Sequence, residues 1–231
     1  MLRFKKYNHK LLRIFFIISF VVVFISTLFY IGYKNSGLIL AQIISRTTHT
    51  PVTINTLDFH QEAFIIQNLI IGNPDKAYTP TAFKAEIVKI NSPYKQYFKN
   101  PIVIDKIEMN NVYINIEFYT EDNIEGNWQV LIDNMEANHK LSSESKRQVS
   151  IKKLVLNDVQ ITLVLSDGKI HRLSPIPCLE FDDVKSEKGI PIEELSEIIA
   201  RKMMYSIFRE DGLNLIIKIP LNVIKKLLPF L

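Results

Sequence analysis

The residues able to do chemistry are scattered rather than grouped. Five histidines, His9, His49, His60, His139 and His171, have no spacing that would place two imidazoles on one metal ion. Asp58 and His60 would share one face of a strand, but a single pair is not a ligand set. Cys178 is the only cysteine. A nucleophilic thiol needs a basic or metal neighbour, and the surrounding "IPCLEF" is an apolar strand pattern that favours packing. Asp182-Asp183 read as a polar pair at a turn, and Glu193, Glu194 and Glu197 as charges at the start of a helix. Ser166-Asp167-Gly168 lacks a nucleophile's context and reads as a turn between strands. With no triad, metal set or glycine-rich phosphate loop, these residues point away from an enzyme and call for no cofactor.

The elements that would carry such residues begin with a basic tail. The net charge is +4 and the pI about 9.0. Arg3, Lys5, Lys6, Lys10 and Arg13 precede any acid, and without these five the remaining 23 basic residues face 24 acidic ones. A nucleic-acid footprint needs a basic patch on the folded body, so no nucleic-acid partner is expected. Residues 14–33, "IFFIISFVVVFISTLFYIGY", carry no charge and no proline. As a helix they would rise ~30 Å, the thickness of a bilayer's hydrocarbon. The stretch is longer than a signal-peptide core and no good small-x-small site follows, so it reads as an uncleaved anchor. Basic residues before it place the N-terminus in the cytoplasm and the body outside, in the periplasm if the source has two membranes. A lone cysteine cannot form an internal disulfide, so the exported body must hold together by its core.

The chain divides into a basic tail at 1–13, a transmembrane helix at 14–33, a juxtamembrane helix or linker at 34–50, an antiparallel β domain at 51–185 and a C-terminal unit at 186–231. Alternating Ile, Val, Phe and Tyr predict strands at 52–59, 63–72, 81–91, 102–109, 112–119, 149–156, 159–166 and 178–184. The polar run at 134–147 reads as a loop or frayed helix. Ile192, Leu195, Ile199 and Met203 lie at helical spacing, with Glu197 four residues before Arg201, and predict an amphipathic helix over 191–208. A strand at 213–219 and a short helix at 221–228 close the chain. The fold class is α+β, mostly antiparallel β: a membrane helix, then a curved sheet of repeated strand-turn-strand units, then an amphipathic helix.

One sentence is written twice. "IDKIEMNNVYINIEF" from Ile104 is echoed by "IKKLVLNDVQITLVL" from Ile151, and its first half returns at Ile54 and Ile176. Such recurrence implies a repeated supersecondary unit. If Asn110-Asn111 form a two-residue turn, Met109 and Val112 face each other across a hairpin; the rival is one long strand kinked at the Asn pair, and the hairpin is preferred. The three-residue step from Ile104 to Ile107 predicts a bulge. Glu108, Tyr113, Asn115 and Glu117 would point outward. The other side, Ile107, Met109, Val112, Ile114 and Ile116 with Leu154, Leu156, Val159 and Ile161, is an apolar face that is either dry core or a trough for lipid.

These features resemble the AsmA-like family. The marks are the tail, anchor and short helix followed by "THTPVTINTLDF", the strand "IIQNLIIGNP", and "PIVIDKIEMNNVYINIEFYTEDNIEGNWQVLI". Asn73-Pro74 and Asn127-Trp128 are the more specific ones, and the resemblance covers most of residues 14–205. It implies a groove-forming β-sheet anchored in the inner membrane and a role in envelope biogenesis or lipid movement, with phospholipid and other envelope proteins as partners. It brings no catalytic residues. The alternative is a scaffold with a dry β core, acting through exposed aromatics such as Tyr113, Tyr119 and Trp128.

Overall fold

The computed structural model describes residues 9–120, 125–141, 148–184 and 190–191. The expected helices at 191–208 and 221–228 and the strand at 213–219 lie outside the described residues.

Two helices lead in. α1 (His9–Lys34) contains the whole uncharged segment, and α2 (Ser36–Thr48) follows. Among the described residues no single helix is long and apolar enough to cross a membrane; Ser19–Lys34 and Ser36–Thr48 meet that condition together, across a 55° bend. Gly37 lets α2 lie close to the sheet, since a Cβ there would sit 3.2 Å from Ile54 Cγ2. His49 ends the helix in the left-handed region, φ 55°.

The body is a curled open sheet, a half-barrel. Its strands are β1 (Val52–Thr53), β2 (Thr56–Phe59), β3 (Ala63–Gly72), β4 (Thr81–Asn91), β5 (Ile102–Ile104), β6 (Lys106–Glu117), β7 (Gln148–Val164), β8 (Ile170–Arg172), β9 (Ile176–Val184) and β10 (Ile190–Pro191). The path runs β1-β3-β4-β6-β7-β10, with β2 on β3 and with β5, β8 and β9 on β7. The strands at 63–72 and 81–91 fall where alternation put them. Asp167-Gly168 make the expected turn into β8, with Gly168 at φ 82°.

The sheet is mixed, not antiparallel throughout. β5 and β6 both run parallel to β7. A parallel pair needs a crossover, and α3 (Asn127–Leu141) supplies it between β6 and β7. The expected polar loop at 134–147 is in part the end of this helix. In the parallel pair Ile104 lies level with Ile151, Ile107 with Leu154, Met109 with Leu156 and Ile114 with Ile161. The offset of the repeated sentence is therefore its pairing register. Two copies of one pattern meet like to like, level by level, only when the strands run the same way.

The preferred hairpin does not form; each copy is one kinked strand. The favoured hairpin turn needs two adjacent residues at positive φ, and each copy has one, Asn111 at 51° and Asp158 at 53°. β3 does the same with Asn68 at 52°. Asn and Asp tolerate this region better than other side-chain-bearing residues. The kinks are aligned. Glu86 lies opposite Asn68 on one side and Asn111 on the other, and Asn111 lies level with Asp158, which faces Pro177. The pairing offset is the same on both sides of this line, so it is a crease rather than an inserted residue. Across it the alternation skips a beat. Ile66 and Leu69, Ala85 and Val88, Met109 and Val112, and Leu156 and Val159 are all buried, with two partly or fully exposed residues between each pair. Each strand thus bends while keeping one face apolar. Ile176 and Leu179 flank the crease on β9, so the echo there is real, but Asp182 lies in the strand beside Lys153 and not at a turn. The bulge expected between Ile104 and Ile107 is not found: the register to β7 is the same on both sides, and the strand is only interrupted at Asp105.

Candidate functional site

The apolar face is closed in this structure. Ile107, Met109, Val112, Ile114, Ile116, Leu154, Leu156, Val159 and Ile161 are all buried. They share one core with Trp128, Leu131, Ile132 and Met135 of α3, and Leu40 and Ile44 of α2 pack against it. Trp128 is therefore core, not an exposed aromatic, and Tyr113 and Tyr119 are half-buried. The opposite face is solvated. There Lys106 pairs with Glu108 at 2.9 Å and Lys153 with Glu180 at 2.7 Å. The Lys106 hydrogen bond holds the Glu108 carboxyl below its usual range. Asn157 donates to Glu108 Oε1 and to Asn110 Oδ1, so the Asn pairs bridge β6 and β7 on the solvent side.

Asn115 and Glu117, expected outward, are instead fully buried. They anchor a polar latch at the end of the sheet. Glu117 accepts hydrogen bonds from the backbone N–H groups of Tyr78 (2.7 Å) and Thr79 (3.0 Å), from Asn73 Nδ2 (3.2 Å) and from the Thr79 hydroxyl. Asn127 donates through Nδ2 to Asn73 Oδ1 (2.7 Å) and to the Asn115 carbonyl (2.9 Å), and its Oδ1 accepts from Glu117 N and Trp128 N. Trp128 Nε1 reaches the same Asn115 carbonyl at 2.8 Å. Asn73 and Asn127, 54 residues apart, thus meet directly. The latch ties the 73–80 loop, the end of β6 and the start of α3 into one unit. Gly126 makes the close approach possible, since a Cβ there would collide with the Glu117 carbonyl oxygen. Glu117 was the residue the strand pattern hid: its position predicts solvent, and only the neighbouring Asn73-Pro74 and Asn127-Trp128 pairs hint at burial.

A cavity of about 330 Å³ adjoins the latch, lined by His49, Pro74, Asp75, Lys76, Tyr119, Val130 and Asn134. Asn134 Nδ2 donates to the Thr48 carbonyl at 2.8 Å, fastening α3 to the end of α2. The pKa of the Tyr119 hydroxyl is pushed up to about 12, first by burial and then by the negative charge of Glu117. Asp58 takes long hydrogen bonds from Thr56 and Gln67 and has no metal-binding company. Among the described residues no three His, Cys, Asp or Glu side chains gather as a metal set. Cys178 is exposed on β9, its thiol pushed up by burial and by Glu180.

Fold and site together define an open, creased half-barrel, closed on its apolar face by two helices and locked at one end by a buried Asn–Glu–Asn latch. Compared with protein-family models, curated proteins and solved structures, the chain matches none.

Proposed function

We propose that this chain is a single-pass, membrane-anchored envelope protein of AsmA-like design, whose half-barrel outside the cytoplasm binds or hands on lipid or supports envelope assembly. The observation that carries this reading is α1. It encloses the whole uncharged segment 14–33, and its described apolar side chains face outward, Phe20 being 71% exposed. A helix that presents Phe, Val and Ile to its surroundings is at home in hydrocarbon rather than water.

The burial of all nine apolar-face residues favours a second reading, in which the core is dry and the protein acts by binding partners. Met109 separates the two. A diazirine analogue of methionine is nearly isosteric, so the full-length chain can carry it without repacking. Irradiation in native membranes should give a phospholipid adduct on the Met109 peptide if the half-barrel handles lipid. Cross-links confined to the chain itself would rule out lipid at this face and leave the scaffold reading.

A further inference from the structure

We propose that the end of the sheet nearest α1 rests on the lipid–water interface through an aromatic and lysine collar; this builds on the membrane anchoring proposed above. Tyr33, in the last turn of α1, lies 6.0 Å from the ring of Phe59 at the end of β2. Phe59 meets Phe64 edge-on at 5.1 Å, and Phe64 lies 4.8 Å from Tyr97. Four rings from four segments thus run outward from the foot of the anchor.

Tyr97 belongs to a short 3-10 helix, Tyr94–Phe98, between β4 and β5. That helix is held against the β2–β3 turn, where Tyr94 N donates to the Gln61 carbonyl and Ser92 N to the Glu62 carbonyl. Its remaining aromatics face out: Phe98 is 85% exposed and Tyr94 55%. Lys95 lies over the Tyr94 ring, and Lys34 over Tyr30 at the matching end of α1. Lys99 follows directly; the acids at this end are Asp58, Glu62 and Asp105, the last paired with Lys152 at 2.6 Å.

Aromatic rings with polar tips, flanked by lysines that can extend to headgroups, suit the boundary between hydrocarbon and water. A protein partner would not need the patch to continue the apolar surface of α1. A bilayer does, because the membrane that takes α1 ends where Tyr30, Tyr33 and Lys34 lie. The opposite end, with the latch and the 73–80 loop, would then point away from the membrane.

The test uses the full-length chain in bilayers of phosphatidylcholine and phosphatidylglycerol, with p-benzoylphenylalanine at position 98 or at 78. Tyr78 is also well exposed but sits on the far loop. Irradiation should yield a lipid adduct at 98 several-fold above that at 78. Equal yields, or no lipid adduct at 98 in a chain that stays membrane-bound through an alkaline carbonate wash, overturn the collar alone. Release by that wash overturns the anchoring and the collar with it.

Discussion

Glu117→Ala should lower the free energy of unfolding by about 3–5 kcal/mol, since each buried donor left without an acceptor costs about 1–3 kcal/mol. The side chain is fully buried and accepts from two backbone N–H groups, one amide and one hydroxyl. Alanine would leave the Tyr78 and Thr79 N–H groups without the carboxylate that pins the 73–80 loop to the sheet. Glu117→Gln keeps the shape but turns an NH₂ group toward donors, so it should fall between wild type and alanine. Thermal unfolding followed by circular dichroism in detergent micelles measures both. A second readout is alkaline. Tyr119 is raised from 10.0 in the unfolded chain to about 12 when folded. The stability it contributes is therefore complete below pH 10 and lost as pH rises through 12. Without the negative charge at 117 the folded value should drop, so the loss should end at a lower pH. Tyr119→Phe should remove that share of the alkaline slope. A Glu117→Ala protein as stable as wild type would mean the latch does not hold the loop.

The crease carries the second large effect. Asn111→Val and Asp158→Val should each destabilise by about 1–2 kcal/mol, because the left-handed region crowds Cβ against backbone and is worst for β-branched residues. Both positions are exposed, so no core packing is lost. They lie level on neighbouring strands, and the double variant should depart from simple addition. Asn111→Gly and Asp158→Gly should be close to neutral, since glycine reaches positive φ without strain. Urea midpoints of the four single variants decide the matter. Valine and glycine variants with the same midpoint would show that the backbone at these positions contributes nothing.

Most of the sheet was legible in the sequence because alternation marks a half-buried strand whatever its neighbours are. The segments 63–72 and 81–91 follow from it residue for residue. What alternation cannot carry is direction. Two strands with the same in-out pattern bury the same face whether parallel or antiparallel, so the β6–β7 pairing was hidden until the shared register of the repeat explained it. The Asn pairs misled for a related reason. Asn at positive φ serves a turn or a kink equally well, and the lack of a glycine at 110–111 was the only local hint. α3 was missed at its start because "GNWQVLID" has one good apolar stripe but no capping box. The latch was half visible: Asn73-Pro74 and Asn127-Trp128 stood out as marks, yet nothing in the spacing says that they touch.

Cys178 offers a direct reading, without any mutation, of the proposed placement of the half-barrel outside the cytoplasm on a membrane-held α1. It is the only cysteine in the chain and is exposed on β9. Its thiol is pushed up by burial and Glu180, so labelling calls for mildly alkaline buffer. A membrane-impermeant maleimide would be applied to cells whose outer layers are opened while the cytoplasmic membrane stays sealed. With the proposed topology, Cys178 should be fully labelled before lysis, on a chain that stays with the membrane through a carbonate wash. Labelling that appears only after the cytoplasmic membrane is broken would contradict it.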